Sequence, residues 1–337
     1  MVASRPAPPV VSIGLPVYNG ERYLDATIRS ILRQDFSDLE LIVCDNASTD
    51  ATGEICRQHA AADRRVIYHR QPRNLGAGPN YDDCFRRARG HYFKWAAHDD
   101  LLAPDYLSRA VAALDRAPEA VLCTTGITEI GPEGEVLRRY ANSFPGIDAD
   151  DPARRLAAVI HTCHQCEDFF GVFRRQALVG SGLHGTYSGS DRVLLAEMAL
   201  RGPWVSVSAP VFLHREHPHR YTRALLLKDR REAALWQDST AAKRRPSTLF
   251  HWQVWRQYWR AVARSVQDAD QRRACHAELM RWWLTDGHAA DVARDLAQAA
   301  SPRLFQALRG LKRTVRGSSA PLPPGALPPA SWRSERQ

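Results

Sequence analysis

From residue 10 onward, short apolar runs alternate with stretches whose apolar positions recur every three or four residues. VVSIGLPVY reads as a buried strand. Glu21 to Gln34 reads as an amphipathic helix, with Leu24, Ile28, Ile31 and Leu32 on one face. ELIVCDN is a second buried strand, and Asn46 to Asp50 offers capping side chains before the helix ATGEICRQHAA. VIYHRQ is a third strand, GAGPNYDDCFRRARG a turn and helix, and HYFKWAAHDD a fourth strand that ends in acids. Strand and helix alternating at this spacing predict an α/β fold, Rossmann-like, with a mostly parallel sheet and helices on both faces.

After Pro104 the pattern is mixed. DYLSRAVAALDRAPEA is helical, AVLCTTGITEIG and EGEVLRRY form a hairpin around Gly131-Pro132, and residues 150–162 are helical. FFGVFRRQAL and PWVSVSAPVFLHR add strands on either side of a helix from Asp191 to Arg201. Beyond residue 222 the periods at 223–245, 249–268, 270–285 and 288–312 are helical and rich in Ala, Arg and Trp, a C-terminal helical extension. Trp252, Trp255 and Trp259 form one stripe there. It is expected to pack on the α/β core, the alternative being a face that lies on a membrane interface. The division expected is a flexible 1–9, an α/β unit 10–222 with halves 10–104 and 105–222, a basic helical region 223–316, and a disordered tail 317–337.

With 337 residues, 44% hydrophobic and 25% charged, the chain has the composition of a soluble globular protein. The start shows no signal-peptide pattern and no apolar run reaches the ~20 residues of a membrane span, so the expectation is a cytoplasmic protein, at most at the inner face of the cell membrane. Seven scattered cysteines, an odd number, fit a reducing compartment. Cys163 and Cys166 form a CxxC, but no second ligand pair follows, and the reading is structural. The net charge of +9 is concentrated: residues 241–316 carry 15 Lys/Arg against 6 Asp/Glu, while residues 1–240 carry 29 against 30. Such a segment suits anionic partners, whether lipid head groups, nucleic acid or phosphorylated substrates.

In an open parallel sheet, ligands bind beyond the carboxyl ends of the strands. Pro16, Tyr18 and Asn19 follow strand one, Asp45 ends strand two, Arg73, Asn74 and Gly76 follow strand three, and Asp99 with Asp100 follows strand four. Polar groups at four successive strand ends converge on one crevice. Neither GxGxxG nor GxxxxGK[ST] is present, so phosphates need another counter-charge. Asp99 and Asp100 supply hard oxygens for Mg2+ or Mn2+. In the competing reading the pair caps the helix near Pro104, with Asp100 as cap and Asp99 still a ligand.

VSIGLPVYNGERYLDATIRSIL, LELIVCDNASTDAT, RNLGAGPNYDDCF and HDDLLAPDYL, in this order, resemble the nucleotide-sugar-binding half of the family-2 glycosyltransferases with the GT-A fold, and the likeness extends from residue 10 to about 220. The resemblance implies that 10–104 is the nucleotide-binding half and 105–222 the acceptor half. Tyr18 then stacks near the base, in a pocket shaped by Pro16. Asp45 accepts from the base imide, and Arg73 and Asn74 line base and ribose. Asp99 matches the last acid of the family's DxD motif and ligates the metal, Mn2+ or Mg2+. Ala97 stands where the motif's first acid is expected, a departure that leaves the ribose contact to water, Asp100 or a backbone group.

TYSGSDRVLLAEMALRG resembles the family stretch that carries the catalytic base, with Asp191 at that position and the N-cap of the following helix as its other reading. Arg215 and His217, in an Arg-x-His arrangement, imply a loop closing over the diphosphate, with His217 in the metal shell and Arg215 on phosphate; His214 and His219 compete for the role. The activity implied is inverting transfer of a sugar from a UDP- or dTDP-linked donor to an acceptor hydroxyl of a surface glycan, free or lipid-linked. Two alternatives stand beside it. One is a non-catalytic nucleotide-sugar-binding relative; the other is a nucleic-acid-binding protein acting through the basic C-terminal helices, disfavoured because no groove-reading motif occurs there.

Overall fold

The structure, a computed structural model, describes residues 7–218, 220, 236–239, 249–285 and 288–300. Four strands alternate with helices first: β1 (Val11–Val17), α1 (Leu24–Leu32), β2 (Leu39–Asp45), α2 (Thr52–Ala62), β3 (Val66–Arg70), α3 (Ala77–Arg87) and β4 (Tyr92–Trp95). There follow β5 (Leu101–Leu102), α4 (Tyr106–Arg116), the hairpin β6 (Leu122–Ile130) and β7 (Val136–Tyr140), α5 (Pro152–Ile160), a short β8 (Val172–Arg174) with α6 (Arg175–Leu178), α7 (Ser190–Arg201) and β9 (Trp204–Arg215). Three C-terminal helices complete the described chain, α8 (Phe250–Ser265), α9 (Ala269–Leu284) and α10 (His288–Ala300). Expected segments outside the described residues include most of 223–248, residues 301–316 of the basic region, and both the start of 1–9 and the tail 317–337.

The sheet runs β3-β2-β1-β4-β8-β6-β9-β5, with β7 paired to β6. β3, β2, β1 and β4 are parallel, in register Val17 to Asp45 and Asp45 to Arg70, so their carboxyl ends share one rim. The second half departs from the mostly parallel pattern. β8 joins both β4 and β6 antiparallel, β5 joins β9 antiparallel, and only β6 with β9 is parallel. β1 and β2 are buried at every position, as a central strand covered on both faces must be. One face packs α1, α2 and α4 through Leu24, Ile28, Cys56 and Leu107; the other packs α3, α5 and α7 and then α8 and α9.

The C-terminal helices are part of that second core. Val254, Tyr258, Ala261 and Val262 of α8 are buried in it, with Cys275 and Leu279 of α9. The tryptophan stripe lies mainly between the two helices rather than on the α/β core. Trp255 meets Trp283 at 4.7 Å, and Trp259 stacks on His276 at 4.0 Å. Trp252 stays 39% exposed. Glu197 of α7, fully buried, accepts from Arg264 of α8 at 2.7 Å and from Arg201 at 2.8 Å, joining the extension to the α/β unit by charge as well as by apolar area. At the CxxC, His164 is buried beside Phe144 and its carbonyl accepts from Arg192 at 2.8 Å, while Cys166 turns through a left-handed conformation.

The first helix also fixes the turn after β4. Thr27 Oγ1 lies 2.9 Å from the carbonyl of His98 and 2.8 Å from that of Asp100, and Gln34 donates to the carbonyl of Ala103 at 2.7 Å while accepting from Leu107 N–H. No helix among the described residues is long and apolar enough to cross a membrane.

Lys94 is an unusual occupant of a central strand. Fully buried on β4, it donates to the Tyr106 hydroxyl at 3.2 Å and to the Phe170 carbonyl, with its ammonium over the rings of Tyr106 and Phe212. Burial draws its pKa down to about 7 against a smaller upward pull from Asp100. The unfolded lysine keeps its proton to about pH 10.4. Between these values the unfolded chain binds more protons, so the destabilisation from Lys94 is full below about pH 7 and fades as pH rises toward 10. Lys94→Met is expected to raise Tm more at about pH 6.5 than at about pH 9.5; thermal melts of both proteins at both pH values check this, and an equal shift at the two would count against it.

Candidate active site

The site is assembled from loops that leave the common rim, and three groups of residues can be followed around it. The first surrounds the end of β2. Asp45 is fully buried; Oδ1 accepts from Ser48 N–H at 2.8 Å, and Oδ2 accepts from the Tyr68 hydroxyl at 2.8 Å and from Arg70 at 2.7 Å. Its carboxylate therefore organises the end of β2, with both oxygens engaged by Ser48, Tyr68 and Arg70. Pro16 is buried within β1 opposite Cys44, while Tyr18, one residue past the strand, is 44% exposed at the rim. Asn19 adopts φ 52°, and its Oδ1 accepts from Thr49 N–H at 2.8 Å, which ties the loops after β1 and β2 together.

Asn46, expected only as a capping candidate for the second helix, instead holds the loop after β3. Its amide donates to Asn74 Oδ1 at 3.0 Å and to the Gly76 carbonyl at 3.1 Å, and its oxygen accepts from Leu75 N–H at 2.8 Å. Gly76 has φ +91°, which only glycine adopts without strain, and a Cβ there would stand 2.6 Å from the carbonyl of Gln237. Arg73 is exposed beside this loop.

The second group lies after β4. Asp99 Oδ2 is 3.0 Å from His217 Nε2, and Arg215 Nε donates to the Asp99 carbonyl at 2.8 Å. Burial works against ionisation of Asp99, but His98, the His217 hydrogen bond and Arg220 together hold its carboxyl below the usual range. The Nδ1 atom of His217 is buried with no hydrogen-bond partner, and its ring lies 5.0 Å from that of Tyr23. Asp100 does not cap α4, whose N-cap is Asp105. It is buried, accepting from Arg215 N–H at 2.8 Å and facing His214 Nδ1 at 3.1 Å. Burial disfavours the charged imidazole of His214, yet the Asp100 carboxylate prevails and raises its pKa.

Arg215 is engaged more fully than a phosphate-binding arginine need be. Nη1 donates to the carbonyls of Gly131 at 3.1 Å and Pro132 at 2.9 Å, and the guanidinium stands 4.7 Å from the centre of the Tyr23 ring. These bonds make it a strut between the β6–β7 hairpin and the acidic turn, and Nη2 alone lies outside them. Arg220, whose charge bears on both Asp99 and His214, is the cation that the sequence argument passed over. His219 lies outside the described residues.

The third group is centred on α7. Gly189, in a left-handed conformation, is the N-cap, so Asp191 sits inside the first turn and accepts from Arg192 N–H at 2.8 Å instead of capping the helix. Ser190 Oγ approaches His184 Nδ1 at 3.3 Å, and His184 stacks on Tyr81 at 4.4 Å. Tyr81, from the first turns of α3, joins the groups. Burial pushes its phenol well above the ordinary range, and the negative charges of Asp99, Asp100 and Asp191 push it further.

Close backbone approaches make the three groups continuous. A Cβ on Gly20 would come 2.8 Å from His98, and one on Gly78 would come 2.2 Å from the Gly185 carbonyl. The loops after β1 and β4 are thus in contact, as are α3 and the loop before α7. Tyr81 and Asn46 fell within stretches already notable for their polar strand-end residues; His184 carried no comparable signal. Among the described residues no cluster of three or more His, Cys, Asp or Glu side chains could close around a metal. Asp99 Oδ2 and His217 Nε2 face each other at 3.0 Å, so these two atoms are the donors that could share a cation such as Mg2+ or Mn2+, with the remaining positions left to substrate oxygens and water.

The sequence of residues 12–179 matches the model of glycosyl transferase family 2, and the chain belongs to that family. It is 38% identical to EpsE of Bacillus subtilis strain 168 over 140 residues, 41% of this chain and 50% of EpsE. It is 39% identical to chondroitin synthase of Escherichia coli over 134 residues, 40% of this chain and 19% of that protein. The chain thus spans half or less of the length of these relatives. In three dimensions it resembles the GT-A structure of S. aureus TarS 1-349 in complex with UDP-GlcNAc, with a TM-score of 0.61 at 16% identity over 88% of this chain and 83% of that one.

Arg215→Lys replaces a fixed fork by a single ammonium that cannot serve the Asp99, Gly131 and Pro132 carbonyls together. A loss of about 1–3 kcal/mol is expected in denaturant titrations. A variant as stable as the parent would show that the strut carries no load.

Proposed function

We propose that this chain transfers a sugar, with inversion, from a UDP- or dTDP-linked donor to an acceptor hydroxyl on a surface glycan, free or lipid-linked. The observation that carries this reading is the shared strand-end rim, where the loop after β1 meets the turn after β4 at Gly20 and His98 and α3 meets the loop before α7 at Gly78 and Gly185. The family assignment and the TarS fold, determined with UDP-GlcNAc, support a nucleotide-sugar donor.

In this mechanism Tyr18 and the Asn46–Gly76 loop hold the nucleoside, with Arg73 and Asn74 along the base and ribose. Asp99 and His217 would hold a divalent cation, Mn2+ or Mg2+, which when bound would neutralise charge on the diphosphate. Arg215 and Arg220 keep Asp99 oriented and ionised. Asp191 removes the proton of the acceptor hydroxyl as its oxygen bonds the anomeric carbon, and the bond to the diphosphate breaks with its electron pair on the leaving phosphate oxygen. The inverting outcome follows from attack on the face opposite that leaving group, with no covalent enzyme intermediate.

Peripheral contact of the 241–316 region with the inner membrane face belongs to the same proposal, supported by the exposure of Trp252, Met280 and Leu284 near Arg281. The nucleic-acid reading is weakened because α8 and α9 bury their apolar faces in the core shared with α7.

Asp191→Asn is expected to lower kcat roughly 10²- to 10⁴-fold while leaving nucleoside diphosphate affinity unchanged; turnover assays with isothermal titration check both, and unaltered turnover would refute the assignment. Asp99→Asn is expected to abolish the additional thermal stabilisation that Mn2+ gives in the presence of UDP, a loss read by melting the protein with and without the metal.

A further inference from the structure

After β9 the chain passes the acidic turn at Asp99 and reappears among the described residues at 236–239, seated on the loop that follows β3. Ser239 donates through its hydroxyl to the Asn74 carbonyl at 2.8 Å and through its N–H to the Leu75 carbonyl at 3.3 Å. The fit is tight: a Cβ on Gly76 would lie 2.6 Å from the Gln237 carbonyl and 2.7 Å from Cα of Asp238. Gln237 is 5% exposed, and its side-chain Oε1 is buried without a hydrogen-bond partner. A carboxamide oxygen left unsatisfied in this way costs roughly 1–3 kcal/mol unless a donor reaches it, and buried polar atoms without partners are rare enough in folded proteins to mark a place where something else binds.

We propose that Gln237 is a nucleoside-reading residue of the donor site, its Oε1 accepting a hydrogen bond from an N–H or O–H of the base or ribose of a nucleoside diphosphate. The inference rests on the donor reading above and extends it to a residue outside the region matched to the family. Its position follows from the loop it covers, since Asn74 and Gly76 are held by Asn46 directly beyond Asp45 at the end of β2. The segment therefore closes over the nucleoside end of the crevice, opposite the Asp99–His217 end.

The test uses the full chain with Mn2+ and isothermal titration of UDP, dTDP, GDP, CDP and ADP, with inorganic pyrophosphate as the probe lacking a nucleoside. Gln237→Leu, or Gln237→Met should the first fail to fold, is expected to weaken the preferred nucleoside diphosphate about five- to tenfold. Pyrophosphate affinity stays unchanged and the Tm of the free protein stays equal or rises, because an unsatisfied polar atom has been removed. A merely structural glutamine would instead lower Tm and leave the nucleotide-to-pyrophosphate ratio as it was. Equal nucleoside diphosphate affinity in parent and variant overturns the role of Gln237 while leaving the donor reading intact. A parent chain that binds none of the five nucleotides overturns both.

Discussion

The acidic turn depends on one buried carboxylate. Asp100 accepts the main-chain N–H of Arg215 and faces His214, so the end of β4 is fastened to the end of β9 inside the protein, where water cannot compete for the bond. Asp99 turns instead to His217, and the Arg215 side chain returns to hold the Asp99 carbonyl. Two adjacent acids thus take different partners, Asp100 the main chain of Arg215 and the ring of His214, Asp99 the ring of His217. The short pairing of β5 with β9 and the hold of Thr27 on the same turn reinforce this division from two other elements.

The other side of the crevice is controlled from farther away. Asp191 lies in the first turn of α7, and α7 is clamped along its length by α5, by α8 and by the pairing of Glu197 with Arg201 and Arg264. A fully buried glutamate with two arginines is costly to assemble and harder still to break one member at a time. The C-terminal helices consequently bear on the position of the proposed base through α7, and the tryptophans pack between α8 and α9.

Much of this architecture was legible along the chain, for physical reasons. β1 and β2 are central parallel strands buried on both faces, and so they announce themselves as continuous apolar runs. The helices α1, α4 and α5 carry apolar stripes that periodicity detects. β5, only two residues long, forms because β9 is beside it, and the three residues of β8 turn the second half of the sheet antiparallel by inserting between β4 and β6, an event of tertiary contact with no local signature. The strand-end acids could be picked out by position, whereas the partners that define their roles could not. Tyr68 and Arg70 look like ordinary outward residues of an edge strand until Asp45 is found beneath them. Tyr81 and His184 meet only because α3 and the loop before α7 approach at Gly78. The tryptophan stripe had the right period, but which neighbour it met depended on α9.

The seating of Ser239 on Asn74 and Leu75 bears on where this protein can be cut. Recognition by family stops at residue 179, and the last strand of the sheet stops at 215, yet backbone from beyond both lies against the loop after β3. A shortened version ending with that strand would keep Asp99, Asp100 and α7 but lose His217 and Arg220, and it would uncover the loop after β3. The working unit of this fold is therefore longer than its sheet.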